Sequence, residues 1–504
     1  TPQDNTTAVE STESDAAEKV SVVQADTKEE SKNTWANECE DDADDVNEEP
    51  KSSEEPKPSE EPKSSEEPKS GDELTNLLQK LAFERQKESR GDRLRVIQND
   101  TSSHLSSVRT FQELNLPKHL LDAIFAMGFD RPSAIQEESL PRILADPPRN
   151  IIGQSQSGSG KTVAFVLGML YRITVDTPAT TQALCVTPTR ELAIQIFQKA
   201  VTPMAANMPG LKVQLALSGE HVEKGKTVDA HMVVGTPGKM VDWLKRGQLE
   251  SRQLKILVLD EADNMVGEGG HRANSLLIKK QMPKKCQSLF FSATFPPKVV
   301  EFASKMVVNP DKILIASGPE YLVLDVIKQL WIDTQLYEGG KLSFLADIYS
   351  LLTIGQSIVF VGTKRAADAI HKTLSEGGYS CSVLHGTVEN MERDATMEAF
   401  RKGESNVLIT TNVLARGVDV ENVCLVVNYD VPTDKNGDPD FETYLHRIGR
   451  TGRFGRKGSA INLVDDQKSI EVLAAIEAFF SGGTKEMIHN APADPEALAE
   501  MIEI

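Results

Sequence analysis

The chain contains 504 residues, of which 39% are hydrophobic and 26% are charged, and its formal net charge is −20. This length exceeds what one hydrophobic core usually supports, so we expect at least two domains. The sequence shows no apolar run long enough to cross a membrane, no signal-peptide pattern at its start and no paired spacing among its five cysteines. We therefore expect no membrane insertion, no disulfide framework and no cysteine-based structural zinc, and free thiols fit the reducing cytoplasm or nucleus.

Residues 1–71 predict a disordered acidic tail. The first 70 residues hold 22 acidic and 7 basic side chains, a net of −15, and the hexapeptide EEPKSS recurs from Glu48 onward. Such a segment has too few apolar side chains to bury a core. The rest of the chain has a net charge of only −5, which allows a local basic groove for nucleic acid despite the acidic total.

Residues 72–110 form an N-terminal extension in which one amphipathic helix is predicted. Asp72 suits the N-cap position, and leucines recur at helical spacing at 74, 77, 78 and 81. We expect this helix to lie outside the main domains. Its sequence leaves open whether it is a linker helix or docks on another surface.

Short apolar strands alternate with helical patterns from Phe111 onward and fall into two series. This alternation predicts an α/β fold with mostly parallel sheets. The first series has strands at 150–153, 183–187, 213–217, 231–235, 256–260 and 288–291, and the second at 327–333, 357–361, 381–384, 406–410, 423–428 and 459–464. We expect one domain at 111–315, a linker at 316–325, a second domain at 326–484 and a C-terminal tail at 485–504.

A candidate phosphate-binding loop follows the first of these strands, where residues 151–162 read IIGQSQSGSGKT. Backbone N–H groups of such a loop, the N-terminus of the following helix and the lysine ammonium all attract phosphate. A plain turn is the alternative, because the strict pattern has a glycine where Ser155 stands. The hydroxyl of Thr162 also suits Mg²⁺. The candidate nucleotide-binding residues are Ser157, Gly158, Ser159, Gly160, Lys161 and Thr162.

An acidic motif follows the apolar run 256–259, where the chain reads Asp260-Glu261-Ala262-Asp263. The Asp260 carboxylate suits the Mg²⁺ shell, and Glu261 suits the polarisation of an attacking water. The same residues could instead begin an ordinary acidic helix. Both motifs follow buried-type strands within one domain-sized stretch, and together they predict an NTPase.

The remaining motifs resemble those of the DEAD-box RNA helicases, in sequence and in order, from Phe111 to about Phe480. They are PSAIQ at 132–136, PTREL at 188–192, TPGK at 236–239, SAT at 292–294, TTNVLARGVDV at 410–420 and HRIGRTGR at 446–453. The resemblance implies an α/β fold of two tandem RecA-like domains, ATP and Mg²⁺ as cofactors, and ATP hydrolysis stimulated by RNA. Because motifs of both domains would contact the nucleotide, hydrolysis would require the two domains to close.

The resemblance also implies roles around the nucleotide. The Gln136 amide would pair with adenine and favour ATP over GTP, with Phe129 in the same motif. Phe111 resembles the upstream aromatic that stacks on adenine, although a single phenylalanine is more often a core residue. The other implied residues are Ser292 and Thr294 as a hydroxyl relay, Asp419 near the ribose, His446 as a bridge to the first domain, and Arg450 and Arg453 as arginine fingers.

A further set of residues would contact RNA through its backbone and 2′-hydroxyl groups, independently of base sequence. They are Thr189, Arg190, Gly219, Thr236, Gly238, Thr363, Arg393 and Thr411. Four positions depart from the usual family motifs: Ser155 replaces alanine, Lys239 replaces arginine, Asn390 replaces glutamine and Asn412 replaces aspartate. None of the four is a predicted metal or phosphate ligand, so we expect activity to persist.

Three segments further resemble family members that act in mRNA export at the cytoplasmic face of the nuclear pore: 154–162, 410–417 and 431–458. This resemblance implies a monomer of cytoplasm and nucleus that remodels messenger ribonucleoprotein, with a further role in translation termination. Its partners would be single-stranded mRNA, a nucleoporin of the cytoplasmic filaments and an export-mediator activator with inositol hexakisphosphate. The helix at 72–90 lies where these relatives carry an autoinhibitory helix.

Two other functions stay open from the residues alone. An ATP-locked RNA clamp with little turnover would need the same binding residues, although it could tolerate the loss of Glu261 or of the arginine fingers, all of which are present. A DNA helicase is the other alternative. Stimulation of ATP hydrolysis by RNA or by single-stranded DNA would separate the RNA enzyme from the DNA enzyme.

Overall fold

The computed structural model describes residues 94–99, 105–267, 271–315, 322–323, 326–352, 355–414, 419–420, 422–452, 456–483 and 486–502. All of them belong to one compact unit, Glu67–Ile504. The predicted acidic tail and the helix predicted at 72–90 lie outside the described residues. Within the described part of the chain, no helix is both long and apolar enough to cross a membrane.

The first sheet contains eight strands among the described residues: β1 (Leu94–Ile97), β2 (Ile151–Gln154), β3 (Ala183–Val186), β4 (Val213–Ala216), β5 (Met232–Gly235), β6 (Ile256–Asp260), β7 (Gln287–Ser292) and β8 (Asp311–Ile315). Their order is β1-β8-β2-β7-β6-β3-β5-β4. β1 runs antiparallel to β8, and the other neighbours are parallel. Parallel pairing places the carboxyl ends of β2 to β8 at one edge of the sheet.

Helices cover both faces of this first sheet. They are α1 (Lys118–Ala126), α2 (Ala134–Leu144), α3 (Lys161–Arg172), α4 (Arg190–Ile196), α5 (Thr202–Ala205), α6 (Pro237–Lys245), α7 (Ala262–Val266), α8 (Arg272–Gln281) and α9 (Pro297–Met306). Successive side chains of a strand point to opposite faces, so Ile256 and Val258 of β6 enter one hydrophobic cluster while Leu257 and Leu259 enter the other. Burial on both faces explains why these strands read as continuous apolar runs.

The second sheet is parallel throughout and contains seven strands in the described part of the chain: β9 (Ile327–Asp333), β10 (Gln356–Phe360), β11 (Cys381–Leu384), β12 (Val407–Thr410), β13 (Val423–Asn428), β14 (Gly458–Val464) and β15 (Ile488–Asn490). Their order is β11-β12-β10-β13-β14-β9-β15. Helices α10 (Gly340–Leu351), α11 (Lys364–Glu376), α12 (Asn390–Lys402), α13 (Phe441–Ile448), α14 (Gln467–Ser481) and α15 (Pro495–Met501) accompany it. This sheet also separates two hydrophobic clusters.

The structure confirms the predicted fold class. Each strand predicted from the sequence is present, with both ends within one residue of the predicted position. These strands were recognisable because apolar runs of four to seven residues are typical of strands buried on both faces.

The structure also corrects the predicted boundaries at both ends. β1 lies in the predicted N-terminal extension, yet it pairs with β8 along its whole length. The predicted C-terminal tail contains β15, which pairs with β9, and α15, whose Leu498 is completely buried. Of the predicted linker, only Leu322 and Val323 are described, and Val323 is buried in the core of the second domain. β1 (LRVI) and β15 (IHN) are edge strands that contain polar residues, so neither reads as an apolar run buried on both faces, and α15 has only seven residues.

Candidate functional site

The predicted nucleotide-binding residues meet at the carboxyl edge of the first sheet. The phosphate-binding loop follows β2, Ser292 ends β7 and Asp260 ends β6, and these three strands are neighbours. The predicted RNA-binding residues of this domain follow β3, β5 and β4, the next three strands in the sheet. Strand order therefore separates the two groups into adjacent regions, although their motifs are interleaved along the chain.

The loop after β2 has the geometry of a phosphate-binding loop. Gly160 is the N-cap of α3 and has a φ of +94°, in the left-handed region that favours glycine. The ammonium of the buried Lys161 donates hydrogen bonds to the carbonyl oxygens of Ser155 at 2.5 Å and Gln156 at 2.7 Å. Because Lys161 uses the backbone of Ser155, the side-chain departure at that position leaves this contact unchanged. The hydroxyl oxygen of Ser159 is buried without a hydrogen-bond partner, which a phosphate oxygen would provide.

Gln136 is tied to the same loop. Its side-chain oxygen accepts a hydrogen bond from the N–H of Ser133 at 2.9 Å, and its side-chain nitrogen donates to the carbonyl oxygen of Gly160 at 3.0 Å. An amide side chain can donate two hydrogen bonds and accept two, so these contacts use half of its capacity. The residue predicted to recognise adenine thus also holds the end of the loop predicted to bind phosphate.

The two predicted adenine-side aromatics pack against the hydrophobic core of the first domain. Phe111 has an exposed fraction of 0% and lies in the same cluster as Leu120 and Ile124. In this structure its ring has no face open to a base. Phe129 is half-buried and packs against the same cluster.

Asp260 and Glu261 are both buried. Burial, reinforced by the adjacent Glu261 carboxylate, raises the pKa of Asp260 to about 7, and the Lys161 ammonium opposes this shift. A buried carboxylate of this kind is stabilised by a metal cation. Glu261 has a φ of +49°, and its Oε2 is buried without a hydrogen-bond partner. The acidic motif therefore offers a site for a cation beside a carboxylate oxygen that can accept a proton.

A chain of polar contacts beside the acidic motif joins the two domains. The hydroxyl of Thr294 donates to Oδ2 of Asp263 at 2.6 Å, and the N–H of Thr294 donates to the hydroxyl oxygen of Ser292 at 3.4 Å. The same Asp263 oxygen lies 3.3 Å from Nε2 of His446, which belongs to α13 of the second domain. The contact between domains thus depends on the SAT motif, the acidic motif and α13 together.

The turn after α13 lies against the phosphate-binding loop. Arg450 is buried, and its Nε donates to the carbonyl oxygen of His446 at 2.8 Å. A Cβ added at Gly449 would lie 4.0 Å from the Cβ of Ser157. Arg453, the second predicted arginine finger, lies outside the described residues.

Arg190 and Arg393, both predicted to bind RNA, form crossed ion pairs between the domains. Nε and one terminal nitrogen of Arg190 donate to the two carboxylate oxygens of Asp394 at 3.0 Å and 2.7 Å. The Arg393 guanidinium donates to Oε1 of Glu191 through Nε at 2.9 Å and through a terminal nitrogen. Arg190 and Glu191 are neighbours on α4, and Arg393 and Asp394 are neighbours on α12. Each helix therefore supplies one arginine and one acid. To contact RNA, the two arginines would have to share their guanidinium groups between RNA and these carboxylates, or break the ion pairs.

Two further polar contacts extend this interface. The backbone N–H of Asp419, predicted to lie near the ribose, donates to the side-chain oxygen of Gln195 on α4 at 2.5 Å. The side-chain nitrogen of Asn390, one of the departures from the family pattern, donates to the carbonyl oxygen of Ser218 at 3.2 Å. Both contacts connect the second domain to the predicted RNA-binding region of the first.

The other predicted RNA-binding residues lie at the carboxyl edges of the sheets, on loops or, for Gly238, in the first turn of α6. Thr189 and Thr363 are the N-caps of α4 and α11, where their hydroxyl oxygens accept backbone N–H groups at 3.3 Å and 3.1 Å. Lys239 lies over the ring of Trp243, 5.6 Å from its centroid. The residues that follow β4, β5 and β12 are Gly219, Thr236, Gly238 and Thr411.

A polar network around the buried Arg447 guanidinium, which the sequence motifs did not reveal, connects loops of the second domain. The Asp430 carboxylate accepts the N–H of Gly362 at 2.7 Å, and Arg447 donates to the Asp430 carbonyl oxygen at 2.7 Å. Arg447 also donates twice to the side-chain oxygen of Asn412, at 3.1 Å and 2.7 Å. Burial lowers the pKa of Arg447 to about 10, and the carboxylates of Asp430 and Asp440 oppose this shift. The position of Arg447 beside His446 in the HRIGRTGR motif was the signal that could have identified it.

Fold and site together define the class of protein: two tandem RecA-like domains with a phosphate-binding loop, an acidic motif and polar contacts between the domains are the organisation of a nucleotide-dependent helicase. Residues 133–302 match the DEAD/DEAH box helicase family, and residues 340–455 match the helicase conserved C-terminal domain. The chain is 47% identical over 389 residues to the ATP-dependent RNA helicase DBP5 of Meyerozyma guilliermondii. The aligned region covers 77% of this chain and 79% of that protein. The chain belongs to the DEAD-box family of ATP-dependent RNA helicases.

Two solved structures are similar over most of the chain. S. cerevisiae Dbp5 bound to RNA and ADP BeF3 is 43% identical with a TM-score of 0.73, covering 78% of this chain and 98% of that one. A variant of S. cerevisiae Dbp5 bound to Nup159, a Gle1 variant, IP6 and ADP is 42% identical with a TM-score of 0.53, covering 77% and 98%. Of these two structures, the one that contains RNA is more similar to the arrangement described above.

Proposed function

We propose that this protein is an RNA-stimulated ATPase that remodels RNA–protein complexes during mRNA export at the nuclear pore. The observation that carries the proposal is the contact between His446 of the second domain and Asp263, in the same four-residue motif as Glu261. Because the groups proposed for hydrolysis lie at the interface, ATP turnover depends on domain closure. RNA that contacts both domains would favour closure and thereby stimulate hydrolysis.

The proposed chemistry assigns each polar group one task. Lys161 and the backbone N–H groups of its loop hold the phosphates, with the Ser159 hydroxyl as a further donor. Glu261, whose Oε2 has no hydrogen-bond partner, orients the attacking water and accepts its proton. Arg450, together with Arg453, stabilises the charge that develops on the transferring phosphoryl, a contribution of about 10³-fold or more in comparable enzymes. Gln136 selects adenine and couples it to the phosphate-binding loop.

Thr162 and Asp260 are the proposed ligands for Mg²⁺. Asp260 is a buried carboxylate whose pKa is raised by burial, and a hydroxyl with a carboxylate suits the oxygen preference of Mg²⁺. Bound Mg²⁺ would neutralise phosphate charge. Its binding would also hold Asp260 in the ionised form, because the metal compensates the desolvation that raises the pKa.

RNA is the proposed regulator of closure. The predicted hydroxyl and glycine contacts lie on loops or in first helical turns at the carboxyl edges of both sheets, and such groups recognise the sugar-phosphate backbone without reading bases. The crossed pairs of Arg190 and Arg393 lie among these loops. RNA binding and domain contact therefore draw on the same guanidinium groups.

The proposed partners follow from the relatives. S. cerevisiae Dbp5 has been solved with RNA, and also with Nup159, Gle1 and IP6. By analogy, this protein would bind a nucleoporin of the cytoplasmic filaments and an export-mediator activator with inositol hexakisphosphate, at the cytoplasmic face of the pore. It would act as a monomer in both cytoplasm and nucleus.

Steady-state ATP hydrolysis by the purified full chain, with and without single-stranded RNA, tests this function. We expect RNA to stimulate hydrolysis more than single-stranded DNA does. Glu261→Gln should abolish turnover while ATP and RNA binding persist, and Glu223→Gln, an exposed surface substitution, should behave as the unmodified protein. RNA binding that depends on ATP without any turnover would indicate a clamp, and equal stimulation by DNA would refute RNA specificity.

A further inference from the structure

Three potential metal ligands, none of them a proposed Mg²⁺ ligand, come together between the domains. One ligand atom each from Glu261, Asp263 and His446 lies within 4.8 Å of the other two. Nε2 of His446 is 3.3 Å from Oδ2 of Asp263 and 3.8 Å from Oε2 of Glu261. The acids belong to the first domain and the histidine to the second, so the cluster exists only where the domains meet.

An unsatisfied oxygen in this cluster points to a ligand. Oε2 of Glu261 is buried without a hydrogen-bond partner, and the side chain is only 9% exposed. Asp263 and His446 are even less exposed, at 3% and 1% of their side chains. Two carboxylates that share a buried pocket repel each other, and an unpaired buried carboxylate oxygen costs free energy. A cation in the pocket would offset the repulsion between the carboxylates and would also bind the oxygen that lacks a hydrogen-bond partner.

The spacing and the chemistry of the three ligands select the class of cation. Bonds of about 2.0–2.2 Å arranged as a tetrahedron place neighbouring ligand atoms about 3.3–3.6 Å apart, close to the two distances from His446. One imidazole with two carboxylates suits late first-row divalent metals, whereas Mg²⁺ and Ca²⁺ prefer sites made of oxygen alone.

We propose that Glu261, Asp263 and His446 form an inhibitory site for Zn²⁺, or a divalent cation of the same class, that is assembled by domain closure. Nε2 of His446 would bind in its neutral form, and a water molecule would complete the tetrahedron. The hydroxyl of Thr294, which donates to Oδ2 of Asp263 at 2.6 Å, would orient that carboxylate from the outer shell. Bound Zn²⁺ would tie the domains together and withdraw Glu261 from the attacking water. Only this effect on turnover rests on the proposed function.

Zinc binding by the full chain can be measured without hydrolysis, by competition with a chromophoric zinc chelator in the presence of millimolar Mg²⁺. We expect one Zn²⁺ per chain that Mg²⁺ does not displace. His446→Gln should weaken this binding by at least about tenfold. His489→Gln is the matched control, because His489 lies 3.7 Å from Glu486 in an exposed pair and its side chain is 53% exposed. Unchanged zinc affinity in His446→Gln, or equal losses in both variants, would overturn the site.

Cobalt substitution provides a second readout that a folding defect does not mimic. Co²⁺ bound by one imidazole and two carboxylates in a tetrahedron gives intense visible absorption bands, whereas octahedral surface sites give weak ones. We expect these bands in the unmodified chain and in His489→Gln, and their loss in Asp263→Asn. Octahedral bands alone would refute the proposed geometry. If zinc binds as expected and yet RNA-stimulated hydrolysis is unaffected, the site stands and its inhibitory role is refuted.

Discussion

Arg393→Ala should weaken domain closure without unfolding either domain. Arg393 donates two hydrogen bonds to Oε1 of Glu191 across the interface. The Glu191 side chain is only 2% exposed in this arrangement. Truncation of the arginine would leave a buried carboxylate without its cation, but only while the domains are in contact. The cost therefore falls on closure, because Glu191 regains water when the domains separate.

The magnitude follows from the burial of Glu191. Removal of one partner from a buried ion pair costs about 3–5 kcal/mol, and the partial exposure of Arg393, at 14%, places this case at the lower end. A penalty of about 3 kcal/mol corresponds to a population shift of about 100-fold. If closure limits turnover, the RNA concentration for half-maximal ATP hydrolysis should rise by a similar factor.

A double-mutant cycle separates this mechanism from direct RNA contact by Arg393, the role predicted from the sequence. RNA-stimulated hydrolysis is measured for Arg393→Ala, Glu191→Gln and the double variant. If the two side chains act as a pair, the double variant should be less impaired than Arg393→Ala alone, because Glu191→Gln removes the buried unpaired charge. Arg246→Ala is the control, because Arg246 pairs with Asp242 on the surface of one domain and its side chain is 66% exposed. Strictly additive effects, or normal RNA dependence in Arg393→Ala, would refute the closure mechanism.

Three further predictions test the nucleotide site and the extension. Burial raises the pKa of Asp260 from 3.8 to about 7, so the folded state keeps this proton to higher pH, and its ionisation destabilises the ligand-free protein as the pH rises through this range. Asp260→Asn should therefore raise the free energy of unfolding by on the order of 2–3 kcal/mol more at pH 8 than at pH 5. An equal effect of the substitution on chemical unfolding at both pH values would contradict this. Gly160→Ala should weaken ATP binding by at least about tenfold, because the added Cβ would lie 2.6 Å from Nε2 of Gln136 and the backbone φ of +94° is strained for alanine. Gly158→Ala should lose less affinity, because Gly158 has a φ of +73° but open space around it. Calorimetric titration with ATP measures both affinities, and a larger loss in Gly158→Ala would contradict this. Deletion of residues 1–90 should raise basal ATP hydrolysis, and unchanged basal turnover would mean that the predicted helix at 72–90 is only a linker.

Sequence alone determined the fold class and the chemistry of the motifs. Apolar runs buried on both faces mark strands directly, as β6 shows, because Ile256–Leu259 alternate between two hydrophobic clusters. The phosphate-binding loop and the acidic motif were recognisable because their local backbone and charge requirements are encoded in a few consecutive residues. Lys161 and Asp260 accordingly lie at the same edge of the sheet.

Tertiary structure decided which distant residues meet. β1 (LRVI) and β15 (IHN) contain polar residues and do not read as buried apolar runs. Each is a strand because it pairs with a partner far away in the chain. The same reason explains the contact of Arg393, since only the meeting of α4 and α12 places its guanidinium against Glu191, 202 positions earlier. It explains His446 as well, since only the meeting of the domains brings its imidazole to Asp263. Local sequence encodes strands, loops and charges, but the pairing of charges across an interface depends on relative positions that no local pattern contains.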